Sequence, residues 1–178
     1  MLDHGEHSSA IRLYDDAPSA VSDGRRLVAR VALLLLALAG LYQGVWAQVG
    51  PRSFFEQFPG GMSWVAVEGP YNEHLVRDIG GLVNGLSVVA IVAAWSLSRP
   101  LLAANAVGWL VYTVPHFAFH VSHPLDDAGM QALNVLVLSG EVVLPLLGLL
   151  GASWGASSAR RQAVIATPAL QTTNRDES

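Results

Sequence analysis

The sequence predicts an all-α fold: an integral membrane four-helix bundle with both termini on the cytoplasmic side. Three observations carry that prediction. Of 178 residues, 52% are hydrophobic and only 13% are charged, a balance that suits lipid better than a water-facing surface. The apolar residues gather into four runs, at about 27–48, 75–97, 101–121 and 132–152, each near the ~20 helical residues that cross a ~30 Å hydrocarbon core. Inside lipid every backbone amide must be satisfied within its own segment, so runs of this length are helices. Finally, the positive charges sort by side. There is no lysine, and of ten arginines eight (Arg12, Arg25, Arg26, Arg30, Arg99, Arg160, Arg161 and Arg175) fall on one face of the bundle, leaving Arg52 and Arg77 on the other. The positive-inside rule then places both termini in the cytoplasm, with the loops 49–74 and 122–131 outside.

Residues 1–24 are rich in Ser, Ala and Asp without an apolar period and are expected to form a disordered tail, as are residues 156–178; the membrane domain is 25–155. The first span follows a long acidic leader and exceeds a normal signal-peptide core, so it is expected to stay in the chain, although Val45-Trp46-Ala47 resembles a cleavage site. The outer loop 49–74 concentrates Phe54, Phe55, Phe58, Trp64 and Tyr71. Ser53 is placed to cap a short helix there, and Phe58-Pro59-Gly60-Gly61 to turn the chain. Those rings serve either as a headgroup-level anchor or as a lid on the bundle, the anchor being the simpler reading.

The second span opens on Glu73, His74, Arg77 and Asp78. His74 and Asp78 share a helix face with Gly81 and Gly85, and glycines four apart, as also at Gly40 and Gly44, permit close helix approach. That face is therefore expected to turn inward. A tight connection, with Ser98 or Arg99 at the cap and Pro100 in the first turn, makes spans two and three antiparallel neighbours. Span three ends on His116, His120 and His123, spaced as one stripe. Asp78 and His116 each lie ~10 Å below the outer surface at 1.5 Å per residue. Span four carries Glu141, ~16 Å below Met130 and close to the midplane. Pro115 and Pro145 free the carbonyls of Val111 and Glu141. Ionisable groups at such depth cost ~2.5–3.5 kcal/mol even on the lenient insertion scale, so they should face the interior and find partners.

His74, Asp78, His116 and His120 would make a nitrogen and oxygen shell for a metal ion such as zinc, iron or copper, with Glu141 as an alternative carboxylate. His74 and His116 would alternatively ligate a haem axially. Together with Arg77 and Glu141 they define the expected cofactor-binding site. Other chemistries are excluded. Phe117 stands where a zinc protease of the HExxH type needs its glutamate. No span has the Glu-x-x-His of a di-iron bundle, and the histidines are too few for a membrane desaturase. Without cysteine there is no disulfide or thiolate chemistry, and no phosphate loop or basic aromatic stretch supports nucleic-acid binding. Two readings stand beside a cofactor site: a structural or assembly subunit whose polar residues lock helix packing, and a carrier for a lipid, a quinone or protons. Expected partners are membrane lipids and a membrane-protein partner or a second copy of the chain.

With four spans, the Glu73-His74-Leu75-Val76-Arg77-Asp78-Ile79-Gly80-Gly81 lead-in to span two and a polar end to span three, the chain resembles the DoxX-like group of small bacterial membrane proteins over roughly Leu27 to Ala152. The resemblance implies a bacterial plasma-membrane protein with a redox association, since some members are linked to thiosulfate:quinone oxidoreduction. It assigns no catalytic residue.

Overall fold

In a computed structural model of the chain, the backbone is described for residues 5–153 and the side chains for residues 23–151. The tail expected at 156–178 lies outside the described residues. The elements are α1 (Gly5–Val49), α2 (Pro51–Gln57), a 3-10 turn (Ala66–Glu68), α3 (Glu73–Ser96), α4 (Arg99–Ser122) and α5 (Ala128–Ser153), with no strand among the described residues. Four helices, over Asp23–Val49, Glu73–Ser96, Arg99–Ser122 and Ala128–Gly151, are long and apolar enough to cross a membrane. Their outer surfaces agree: Leu38, Trp95, Val111 and Leu136 all face away from the bundle. An apolar belt of that extent far exceeds the few hundred Å² a water-soluble monomer exposes.

α1 continues back to Gly5, through the segment expected to be a tail. A helix already nucleated by a membrane span extends at little further cost, one hydrogen bond being gained for each residue fixed.

α1 is the hub. It packs along α3 and along α5, α5 also packs along α4, and the contact between α3 and α4 is much thinner. The direct connection from α3 to α4 therefore makes them neighbours in sequence more than in packing. It turns as expected: Leu97 takes a left-handed conformation (φ 48°), Ser98 is the N-cap of α4, and Pro100 sits in its first turn.

The buried positions of α3 are Val76, Gly80, Val83, Ser87, Ala90, Ala93 and Ala94; apart from Ala93, beside Ala94, they are separated alternately by four and three residues, the spacing of a seam between long helices. Facing them on α1 are Leu33, Leu36, Gly40, Gly44 and Ala47. A Cβ added to Gly44 would stand 2.9 Å from the Gly80 carbonyl oxygen, and one added to Gly80 would stand 2.9 Å from the Ala47 Cβ. The close approach expected of small residues is thus real. Its partner on α3 is Gly80, however, and neither Gly81 nor Gly85; a Cβ on Gly85 would meet open space.

The rotation has a consequence for the polar residues. Each helical residue advances ~100° around the axis, so Asp78, two residues before Gly80, points ~200° away from the buried seam. His74 and Asp78 accordingly face outward.

At the end of the bundle where α3 closes, the Arg30 Nε donates to the Ala94 carbonyl at 3.3 Å, satisfying one of the free carbonyls in the last turn of α3. At the opposite end α1 and α3 are strapped in both directions: Arg77 donates to the Gln48 carbonyl, and Gln48 Nε2 donates to the Arg77 carbonyl. Asn72 caps α3 by accepting from the Leu75 amide at 3.1 Å.

Between these strapped ends, residues 50–71 fold back over the bundle. α2 begins at Pro51, preceded by Gly50, so Ser53 lies inside the helix instead of capping it; its hydroxyl bonds the Gly50 carbonyl and accepts from Trp46 Nε1 at 2.9 Å. Phe54 is buried against Trp46 and Phe58, with ring centroids 6.1 and 4.7 Å away. The aromatic loop therefore forms a cover on the end of the bundle where α1 closes and α3 begins.

Candidate functional site: a cavity beneath the aromatic cover

A cavity of about 240 Å³ lies under that cover, bounded by side chains from α1, the cover, α3, α4 and α5. Most of its wall is apolar, contributed by Phe54, Phe58, Trp64, Val65, Leu75, Val76, Ile79, Val137 and Leu138; the polar groups are Gln43, Glu68, His116, His120, Asn134 and Glu141.

Helix periodicity explains how these groups arrive. The inner face of α4 runs through Asn105, Trp109, Tyr112, Thr113, His116 and His120 at spacings of three and four. Its outermost turns deliver the two imidazoles, whose centroids are 4.8 Å apart, with Tyr112 5.5 Å from His116. Gln43, on the α1 seam, donates to the Tyr112 hydroxyl at 3.4 Å. α5 supplies Asn134, Leu138 and Glu141, again three and four apart. Glu68 comes from the 3-10 turn of the cover, and its Oε1 lies 3.6 Å from His120 Nδ1, a short electrostatic contact beyond hydrogen-bond range.

Several polar atoms on this wall have no hydrogen-bond partner: Glu141 Oε2, Asn134 Nδ2, Trp64 Nε1 and His120 Nδ1. Asn134 is only 3% exposed. Buried polar atoms are nearly always paired, and the exceptions gather at places where a ligand or water completes the set. Deeper in the bundle Asn105, Trp109 and Thr113 show the same condition.

The expected six-residue site divides into two groups. His116, His120 and Glu141 line the cavity. His74 and Asp78 do not: they pair with each other at 3.2 Å on the outer surface of α3, with side chains 88% and 61% exposed. Arg77 turns to Glu73, at 2.9 Å, and to the end of α1. The four residues expected to form a metal shell, His74, Asp78, His116 and His120, are thus not brought together, and among the described residues no group of three or more His, Asp or Glu is placed to hold a metal ion. Nor are His74 and His116 brought together: His74 is exposed on α3 and paired with Asp78, whereas His116 lines the cavity. The physical reason is the choice of glycine. Aligning α3 on Gly81 and Gly85 instead of Gly80 turns the helix by about one residue, and that suffices to bring Asp78 inward on paper.

His123 also departs from its stripe. It stacks on Phe119, centroids 4.3 Å apart, in the exposed last turn of α4. Conversely, Gln43 and Glu68 line the cavity without having been singled out. Gln43 carries a weak signal, a polar side chain three residues from Gly40 on the packing face. Glu68 carries none, since only the fold of the cover brings it in. Asn134 lines the cavity as well, and its amide N–H₂ is unpaired.

Comparison with family models, with curated proteins and with solved structures gave no match.

Proposed function

We propose that the chain is a multi-pass protein of a bacterial plasma membrane, with cytoplasmic termini and kinship to the DoxX-like group, that binds a small, largely apolar molecule of lipid or quinone type in its outer half. The arginine distribution supports the orientation. Absence of lysine beside abundant Ala, Gly, Val and Arg fits a GC-rich bacterial genome. The observation that carries the binding reading is the cavity itself, apolar over most of its wall with a few convergent polar groups, the usual make-up of a small-molecule site. At about 240 Å³ it is slightly smaller than the ~300–1,000 Å³ of sites for drug-sized ligands, so it takes a ring or a chain segment while the rest of a longer molecule lies outside. His116, His120 and Glu141 add groups that exchange protons, which suits a carrier that handles protons with its ligand.

The test is mass spectrometry of small molecules extracted from protein purified out of its own membranes, alongside a Val137→Trp variant that fills the cavity from a half-exposed position. An apolar molecule should co-purify with the wild type and be depleted at least about tenfold in the variant. Equal recovery from both would refute a ligand in this cavity. Elemental analysis of the same samples tests the metal reading.

A subunit role has one specific support. Gly85, whose added Cβ would meet nothing within 4 Å, lies off the intramolecular seam and leaves on α3 a small-residue surface that suits another membrane helix. Stoichiometry by native mass spectrometry decides between monomer, homo-oligomer and complex.

A further inference from the structure

The charge on the cavity wall is one-sided. Its ionisable groups are Glu68, Glu141, His116 and His120; no arginine is among the lining residues, and the chain has no lysine. The two arginines at this end are engaged elsewhere, Arg77 with Glu73 and the end of α1, Arg52 with Glu56. Glu68 already has His120 beside it. Glu141 has no counterpart: its Oε2 is shielded from solvent and makes no hydrogen bond. The rings of Phe58 and Trp64 line the same cavity.

A carboxylate without a cation, in a pocket with aromatic rings in its wall, favours a positively charged ligand. Ring faces carry negative potential and attract ammonium groups, most strongly where water is excluded. An anionic headgroup would meet two carboxylates and no positive side chain. A neutral molecule could donate a hydrogen bond to Glu141 but would not balance a negative charge there.

Building on the reading of this cavity as a binding site, we infer that it accepts a lipophilic organic cation, an amine or quaternary ammonium with an apolar substituent, with Glu141 as counter-charge and Phe58 and Trp64 as ring walls. Asn134, seven residues and ~10 Å from Glu141 along α5, offers its unpaired N–H₂ to an ether or carbonyl oxygen further along the same molecule.

The experiment uses the full chain in lipid nanodiscs and a pair of probes of equal shape: benzyltrimethylammonium and its carbon isostere neopentylbenzene, with duroquinone as a neutral comparison. The cation should bind at least about tenfold more tightly than the isostere, the scale of one charge-assisted contact. Glu141→Gln should abolish that preference while leaving isostere binding intact, which also shows that the variant is folded. Phe58→Leu, which keeps an apolar side chain at the wall, should reduce it severalfold. Equal binding of cation and isostere, or a preference that survives Glu141→Gln, overturns the inference. If duroquinone binds and the cation does not, the inference falls while the binding reading of the cavity stands; if no probe binds, both fall.

Discussion

Replacing Gly44 by alanine tests the rotation of α3, on which the division of the polar residues depends. The new methyl would stand 2.9 Å from the Gly80 carbonyl oxygen and 2.8 Å from Asn84 Cγ, closer than real Cβ atoms approach such neighbours. The carbonyl is backbone, so relief requires α1 and α3 to separate, an overpacking cost of ~1–3 kcal/mol. Gly85→Ala is the matched control, because its methyl would meet nothing within 4 Å. Both substitutions gain the same ~0.5–1 kcal/mol for replacing a helical glycine, so that gain cancels in the comparison. Gly85→Ala should therefore be neutral to slightly stabilising, and Gly44→Ala should fall below it by ~1–3 kcal/mol. Reversible unfolding of the purified proteins in mixed detergent and SDS micelles measures the difference. Equal stability, or greater damage from Gly85→Ala, would place Gly85 and hence Asp78 on the buried side and return His74 and Asp78 to the interior.

Two further outcomes follow from the same geometry. His74→Ala combined with Asp78→Ala should change stability by no more than ~0.5 kcal/mol in the same unfolding assay, since exposed pairs of this kind contribute little, and should leave probe binding in the cavity unaltered. Because the chain has no cysteine, single cysteines can be placed without background; a membrane-impermeant maleimide added to intact cells should label Asp126→Cys and spare Ser98→Cys, and the reverse pattern would invert the proposed orientation.

Four long helices were legible because length and hydropathy alone identify a span, and neither depends on which side of a helix faces inward. Facing was harder. In soluble proteins polarity marks the outside, but in a bundle of this composition both sides of α3 are apolar, and only a glycine pair separates them. Gly80 and Gly81 are adjacent, so the sequence offered two registers ~100° apart. The imidazoles of α4 escaped this ambiguity. Asn105, Thr113, His116 and His120 lie on one continuous stripe, and burying any one of them carries the others inward. Glu141 was legible for the reason that a lone carboxyl in mid-span has nowhere else to face. The cover was legible only as a choice between two roles, because burial of Phe54 and Trp64 depends on contacts between residues distant along the chain.

The reciprocal strap of Gln48 and Arg77 fixes both feet of the segment that roofs the bundle. Its ends are held together regardless of what lies between them, and lengthening a loop whose ends are already joined adds only ~0.6 kcal/mol per doubling. The roof is thus an exchangeable module on a fixed socket: insertions or wholesale replacement between residues 50 and 71 can reshape what enters the cavity while the four helices beneath stay in place.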